Sequence, residues 1–89
     1  MKSIWKWTVD RGVMPIPMPK GAKVLAFGNQ HEDPTIWAEV DPDNEEEERR
    51  FSVVGTGHYV PENALYLGTA QFRQGALVWH LYELQAGEL

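Results

Sequence analysis

The fold class is decided by the last apolar stretch of the chain, Ala76-Leu-Val-Trp-His-Leu-Tyr-Glu-Leu84. Leu77, Trp79 and Leu81 share one face of an extended chain, because successive side chains of a strand point to opposite sides. The other face is also mostly apolar, with His80 among its side chains. A strand that is apolar on both faces is usually buried on both. The stretch therefore predicts a β-strand that needs cover on each side.

Further strand patterns precede this stretch and are separated by turn residues. Gln74-Gly75 divides it from the apolar run Ala64–Arg73, and glycine tolerates the positive φ of a tight turn, so the two runs predict a hairpin. Turn residues at intervals of about 8–12 residues are typical of antiparallel barrels and sandwiches. We therefore predict a mainly all-β fold, a small antiparallel β-meander that forms a barrel or a sandwich. The predicted strands are Trp5–Val9, Ala22–Gln30, Thr35–Val40, Phe51–Val54, Ala64–Arg73 and Ala76–Leu84.

Four segments between these strands carry predictions of their own. His31-Glu-Asp-Pro34 predicts the turn of a second hairpin. Met14-Pro-Ile-Pro-Met-Pro19 has a proline at every second position, and each proline lacks a donor, so this segment is expected to be extended and unpaired. Asp41-Pro-Asp-Asn44 is typical of a tight turn. Glu45–Arg49 is expected to form at most one helical turn, since glutamate favours a helix near an Asn or Asp cap.

The length and composition limit what the chain can be. With 89 residues it is expected to be one β-rich domain, residues 1–89, with a modest core and an acidic loop at residues 41–48. It has no cysteine, which excludes a disulfide framework and a thiolate site. No stretch approaches the ~20 apolar residues of a membrane span. Lys6 and Asp10 interrupt any signal-peptide pattern, so we expect a cytoplasmic protein with no membrane partner.

Charge is distributed unevenly along the sequence. The formal net charge is −5, and six acids fall within the eight residues from Asp41 to Glu48. Such a run is typical of a solvated loop, with a cation site or DNA mimicry as the alternatives; calcium is disfavoured because EF-hand spacing is missing. Outside this run the chain is close to neutral. The composition therefore disfavours binding to duplex nucleic acid and leaves a small anionic ligand open.

The last strand also bears on assembly. In a sheet of 89 residues, one chain covers one face more easily than two. The chain also has four tryptophans, and tryptophan is enriched at protein interfaces. We therefore predict a homo-oligomer in which a partner covers the second face of the strand.

Residues suited to catalysis are few. His31 is expected to be exposed in its turn, and His80 is expected to be a core histidine with a satisfied hydrogen bond. No pair of histidines has the spacing of a zinc site, so no metal and no cofactor are expected. The serines Ser3 and Ser52 do not lie in a glycine-flanked nucleophile turn. We expect a protein that is not an enzyme.

The segment Gly55-Thr-Gly-His58 is the best candidate for ligand contact. Two glycines let backbone amides approach an anion, and the hydroxyl and imidazole add donors; the alternative is a simple bend at the end of a strand. Arginines near strand ends offer phosphate contacts, and aromatic side chains, Trp37 among them, offer stacking. The candidate ligand-binding residues are Arg50, Thr56, Gly57, His58, Tyr59, Arg73 and Trp79.

Several segments together carry a resemblance to a known family. They are Ile4-Trp-Lys-Trp7, Met18-Pro-Lys-Gly-Ala-Lys-Val-Leu25, Ile36-Trp-Ala-Glu-Val-Asp-Pro42, Phe51, Gly55-Thr-Gly-His58, Tyr66-Leu-Gly-Thr69, Gln71 and Gly75-Ala-Leu-Val-Trp-His80. The chain resembles small tailed-phage and prophage proteins related to phage anti-defence (anti-CBASS) sponges. The resemblance implies a homo-oligomer that sequesters a cyclic-nucleotide immune signal in the host cytoplasm. It assigns no binding residues, and the acids Glu45–Glu48 form a longer run than the family pattern.

Three functions remain open on the sequence. The first is a non-catalytic sponge for a cyclic di- or trinucleotide. The second is a protein–protein modulator that uses the acidic residues Asp41–Glu48 as a DNA mimic against a host enzyme. The third is a small enzyme that acts on a nucleotide.

Overall fold

Seven β-strands account for most of the structure, a computed structural model that describes residues 1–85. They are β1 (Ser3–Thr8), β2 (Gly12–Pro19), β3 (Lys23–Gln30), β4 (Asp33–Val40), β5 (Glu46–Gly55), β6 (Ala64–Phe72) and β7 (Leu77–Leu84), with a 3-10 turn at Arg73–Gly75. The predicted all-β fold is confirmed. None of the helices in residues 1–85 is long and apolar enough to cross a membrane.

The strands form two antiparallel sheets, which makes the fold a sandwich. The three-stranded sheet has the order β1-β4-β3, and the four-stranded sheet has the order β2-β5-β7-β6. Only the β3–β4 and β6–β7 pairs join strands that follow each other in the chain. The strands therefore do not form the simple meander that the sequence predicted, because β1, β2 and β5 pair with strands that are distant in the sequence.

The core lies between the two sheets and follows the alternation of the strands. Ile36, Ala38 and Val40 of β4 are buried on one face, as their spacing predicts. From the other sheet, Phe51 and Leu81 are fully buried against them in the same cluster. Burial of large apolar side chains stabilises such a core by about 1.5–3 kcal/mol for each side chain.

The predicted hairpin turns are confirmed, and positive φ angles shape both. His31 and Glu32 have φ of 53° and 69°, so they form the two-residue turn between β3 and β4. Between β6 and β7, Arg73, Gln74 and Gly75 have φ of 49°, 56° and 93°. Glycine adopts this left-handed region at little cost, which is why Gly75 was a useful signal.

The proline-rich segment is a strand, so its prediction as unpaired chain is wrong. Residues Gly12–Pro19 form β2 and pair with β5 along their whole length. β2 lies at the edge of its sheet. In an antiparallel pair, alternate residues direct their backbone groups toward the partner and away from it. Prolines at positions 15, 17 and 19 therefore share one side, and an edge strand tolerates missing donors on its open side.

No helical turn forms at Glu45–Arg49, where the sequence allowed at most one. Glu46 to Arg49 belong to β5, which is longer than the predicted strand Phe51–Val54. These residues pair with β2, and tertiary pairing of this kind overrides a weak helix propensity. The acidic run is consequently split between the turn after β4 and the start of β5.

A hydrogen-bonded clamp joins the free edges of the two sheets, between β3 and β6. Asn29 Nδ2 donates to Gln71 O at 2.9 Å, and the backbone N–H of Arg73 donates to Glu32 Oε1 at 2.7 Å. A Cβ added at Gly68 would lie 3.2 Å from Phe27 Cβ, so the strands approach closely. The hydrogen bond from the Arg73 N–H, followed by the bond from Asn29, lowers the pKa of Glu32 from its ordinary value.

We expect Glu32→Gln to lower the melting temperature at neutral pH and to have less effect in acid. Glu32 has a lower pKa in the folded chain than in the unfolded chain, so its contribution is present above its ordinary pKa of 4.5 and is lost as the pH falls below it. The measurement is thermal unfolding of both proteins at about pH 7 and about pH 3. Glu46→Gln, at an exposed position, is the control. An equal fall in melting temperature at both pH values would contradict a stabilising role for the ionised Glu32 in the clamp.

Candidate functional site

The Gly55-Thr-Gly-His58 segment is a tight turn that leaves the end of β5. The His58 N–H donates to Gly55 O at 3.0 Å. Gly57 has a φ of +93°, which side chains rarely adopt. The His58 ring folds back over Gly55, where an added Cβ would lie 3.1 Å from its Cδ2. The geometry of this turn thus requires glycine at Gly57, whereas a side chain at Gly55 would displace the His58 ring.

Thr56 fastens the turn to the neighbouring strand. Its N–H donates to Val78 O at 3.1 Å, and its Oγ1 donates to the same oxygen at 3.2 Å. The sequence suggested that amides of this segment approach an anion, but the amides of Thr56 and His58 are already used inside the chain. These two amides are therefore not available to a ligand.

A hydrogen-bonded row of side chains extends from Thr56 across the outer face of the four-stranded sheet. His80 Nε2 lies 2.9 Å from Thr56 Oγ1, and His80 Nδ1 lies 2.9 Å from Thr69 Oγ1. Tyr66 OH continues the row at 2.6 Å from Thr69 Oγ1. Because Thr56 donates to Val78 O, its oxygen accepts the hydrogen of Nε2, and in a neutral ring Nδ1 accepts from Thr69.

The environment of His80 therefore differs from the prediction in part. Both ring nitrogens have partners, as expected, but the residue is half-buried on the outer face and lies outside the core. Val78, Tyr82 and Leu84 on the same face are also half-buried. This burial is reached within one chain, so the pattern of β7 by itself does not require a subunit to cover it.

A cleft of about 590 Å³ opens beside the turn, at the end of the sheet where β2 and β7 begin and β5 ends. The side chains that define its chemistry are those of Arg11, Thr56, His58, Tyr59 and Trp79. The Arg11 guanidinium carbon lies 6.0 Å from the centre of the Trp79 ring. Clefts of roughly 300–1,000 Å³ are typical of small-molecule sites. We refer to this cleft as the end cleft.

The charged side chain that lines the end cleft is basic, although the protein as a whole is acidic. Arg11 lines it, and among residues 1–85 no Asp or Glu does. Within residues 1–85, no salt bridge involves the Arg11 side chain. An exposed guanidinium with free donors favours an anion with planar oxygen groups, such as a phosphate. The end cleft is therefore suited to a small anionic ligand.

Aromatic surface lies next to this charge. Tyr59 is 99% exposed and packs against almost nothing in its own chain. Trp79 is half-buried, with its ring centre 4.9 Å from that of Phe72. An exposed tyrosine and a supported indole can both stack on a planar ring, as they do on bases in single-stranded nucleic acid.

The structure brings together some of the predicted binding residues and separates others. Thr56, His58, Tyr59 and Trp79 line the end cleft, and Gly57 shapes the turn beside them. Arg50, Arg73 and Trp37 do not line it. Arg50 borders a second cleft between β5 and the end of β7, together with Glu47, Glu48 and Glu62. Arg73 lies in the β6–β7 turn, where its N–H serves the clamp.

Arg11 is the functional candidate that sequence reasoning missed. It precedes Gly12, which pairs with Val53 near the end of β5, so strand pairing carries Arg11 to the turn. The proline segment was predicted to be unpaired, and this pairing was therefore not foreseen. One signal in the sequence could have indicated this position. Arg11 is a basic residue next to Gly12, at the start of a segment whose apolar residues alternate as they do in a strand.

A family model assigns the chain to a family. The model, described as a domain of unknown function (DUF7352), matches residues 1–88. The chain belongs to the DUF7352 family. No curated protein and no solved structure matches the chain. Within residues 1–85 of this DUF7352 member, no group of three or more His, Asp or Glu side chains is placed to hold a metal ion.

Proposed function

We propose that this protein is a non-catalytic, homo-oligomeric phage sponge that sequesters a cyclic-nucleotide immune signal in the host cytoplasm. The observation that carries the proposal is the end cleft, which combines aromatic side chains with a guanidinium that has no salt bridge, and with a lining free of carboxylates, within residues 1–85. A cyclic di- or trinucleotide offers the matching groups, phosphates and planar bases. The resemblance to phage anti-defence proteins supports the same class of ligand.

The contacts follow from the positions of the side chains. Arg11 would hold a phosphate through two parallel N–H···O bonds, the geometry that makes guanidinium–phosphate pairs strong. Tyr59 would stack on a base, which contributes about 1–3 kcal/mol per base in single-stranded systems. His58 would add a donor from the tip of the turn. The ligand would thus lie between β2 and the segment His58-Tyr59.

The proposal of binding without chemistry rests on the composition of the end cleft. General acid–base attack on a phosphodiester needs a base positioned at the nucleophile and charge stabilisation at the phosphate. Within residues 1–85 the lining offers one cation, Arg11, and one imidazole, His58, with no carboxylate to orient that imidazole as a base, and the Thr56 hydroxyl is held by Val78 O and His80. Retention of an intact ligand is the role that these groups support.

The acidic-mimic alternative gains no support from the structure. Glu46, Glu47 and Glu48 pair with β2 in the strand β5. Glu47 Oε2 also accepts the N–H of Gly21 at 3.3 Å. A row of acids that alternates across a paired strand is less free to imitate a phosphate backbone than a projecting loop is.

The test is to incubate the full chain with a mixed pool of cyclic di- and trinucleotides, repurify it, release the bound material by heat and identify it by mass spectrometry. We expect one intact cyclic nucleotide. Linear or otherwise altered nucleotide would indicate an enzyme. Release of no nucleotide, with no shift in melting temperature against any member of the pool, would contradict the proposal.

A further inference from the structure

As described for residues 1–85, the two sheets have four edge strands, and three of these edges are protected. β2 carries prolines at positions 15, 17 and 19, which remove donors from its open side. β3 and β6 face each other and are joined by the clamp of Asn29 and Glu32. Proteins commonly protect edges in such ways because an open row of N–H and C=O groups pairs with other chains.

The fourth edge, that of β1, has neither prolines nor a clamp within residues 1–85, and its one charged residue is Lys6. In the part of the chain that the structure describes, β1 pairs only with β4, and its sequence Ser3-Ile-Trp-Lys-Trp-Thr8 contains neither proline nor glycine. Its register with β4 is regular from end to end, so no bulge turns the edge away. Ile4 and Trp5 are 61% and 38% exposed, although they point to opposite faces of the sheet. Both faces of this edge therefore have apolar surface left to bury.

We propose that the β1 edge pairs with β1 of a second copy of this chain, antiparallel across a two-fold axis, to give a continuous six-stranded sheet. This inference rests on the oligomeric part of the proposed function and is independent of ligand binding. The end cleft lies on the four-stranded sheet and takes no residue from β1. Failure of either proposal can thus be observed without the other.

Charge selects the register of this pairing. A two-fold axis perpendicular to the sheet places odd-numbered residues opposite odd-numbered ones and even-numbered residues opposite even-numbered ones. Two registers of this kind pair five residues of each strand. One is centred on Trp5 and the other on Lys6. The second places Lys6 directly opposite its own copy, and opposed like charges destabilise a strand pair. The first places Lys6 opposite Ile4 and Trp5 opposite Trp5, a favourable aromatic pair. The Trp5-centred register is therefore the one proposed.

The partner proposed for this edge is a second copy of the chain because β1 can complement itself. An isologous interface needs a surface that complements itself, and an antiparallel strand with one central aromatic residue has this property. Lys2 already pairs with Glu39 at 3.5 Å, and Lys6 Nζ donates to Gln30 at 2.7 Å, so both lysines have partners within their own chain. An edge of this length buries less than the ~800 Å² per partner of a standard interface, so association is expected to be of moderate strength.

The absence of cysteine from the sequence makes a direct test possible. Residues directly opposite in an antiparallel pair have Cα atoms about 4.5–5.5 Å apart, within disulfide range. Trp5→Cys should therefore form a covalent dimer under mild oxidation. Ser3→Cys on the same edge is the matched control, because each Ser3 would lie opposite Trp7 and roughly 13 Å from its copy. Equal cross-linking of the two variants would overturn the register.

Solution size gives the second measurement. Light scattering of the unmodified chain at rising concentration should reach the mass of a dimer. Trp5→Lys places the introduced lysine opposite its own copy at the axis. This variant should therefore remain monomeric, with an unchanged circular dichroism spectrum. Ile4→Glu should strengthen the dimer, since it faces Lys6 of the copy. The proposal would be overturned if the unmodified chain stays monomeric at every concentration, whether or not it binds an extended peptide. A dimer that persists in Trp5→Lys would also overturn it.

Discussion

Replacing Arg11 with alanine is expected to weaken binding of the cyclic nucleotide by roughly 10- to 100-fold, because hydrogen bonds to a charged group contribute about 1.5–3 kcal/mol. Arg11 is the only cation that lines the end cleft within residues 1–85, and it has no salt bridge there to lose. Its removal should therefore act on the ligand and leave the fold intact. The measurement is isothermal titration calorimetry with the nucleotide recovered from the mixed pool.

Two further variants make the Arg11 result specific. Arg11→Lys keeps the charge and loses the planar fork, so its affinity should lie between those of the original chain and Arg11→Ala. Lys20→Ala removes an exposed cation that does not line the end cleft and should change affinity little. The melting temperature of Arg11→Ala should match that of the original chain. Unchanged affinity in Arg11→Ala would place the ligand elsewhere.

Arg49→Met is expected to lower the free energy of unfolding by about 2 kcal/mol, because it leaves Glu83 half-buried and without its partner. Arg49 Nε donates to Glu83 Oε2 at 2.7 Å, and Nη2 donates to Oε1 at 2.8 Å. Nη1 donates to Ala22 O, so one guanidinium joins β5, β7 and the turn before β3. The hydrogen bonds with Glu83 raise the pKa of Arg49. In a domain of this size the loss corresponds to a fall in melting temperature of roughly 10 °C.

A double-mutant cycle separates the pair from the loss of either residue. Glu83→Gln alone should destabilise the chain, and the double variant should be more stable than the sum of the two losses predicts, because neither side chain then keeps an unpaired charge. Arg50→Ala is the control, since the adjacent arginine is exposed and has no salt bridge within residues 1–85. It should change stability by less than about 0.5 kcal/mol. Strict additivity of Arg49→Met and Glu83→Gln would contradict a cooperative pair.

The parts of the fold that could be predicted are those set by neighbouring residues. The alternation of Ile36, Ala38 and Val40 indicated which face of β4 is buried, and the structure confirms it. Gly75 indicated a turn because its φ of +93° is one that few other residues adopt. The candidate segment Gly55-Thr-Gly-His58 was found for the same reason, since Gly57 also requires a positive φ.

The errors share one cause, which is pairing between distant segments. The prolines at positions 15, 17 and 19 showed that three backbone N–H donors are missing. They did not show that all three positions would face the open edge of a sheet. The glutamates before Arg49 had a local preference for helix that the pairing with β2 overrides. The site was affected in the same way, because Arg11 reaches the end cleft through that pairing, whereas Arg50 and Arg73 lie elsewhere.

The sequence by itself therefore determined an all-β chain, the faces of its strands and the positions of its tight turns. These follow from side-chain alternation and from φ preferences, which act between residues one or two positions apart. Only the tertiary structure decided which strands pair, which edges are open and which cation lies beside the Gly55–His58 turn. Backbone hydrogen bonds are chemically the same for every strand, so the choice among partners depends on how the whole core packs.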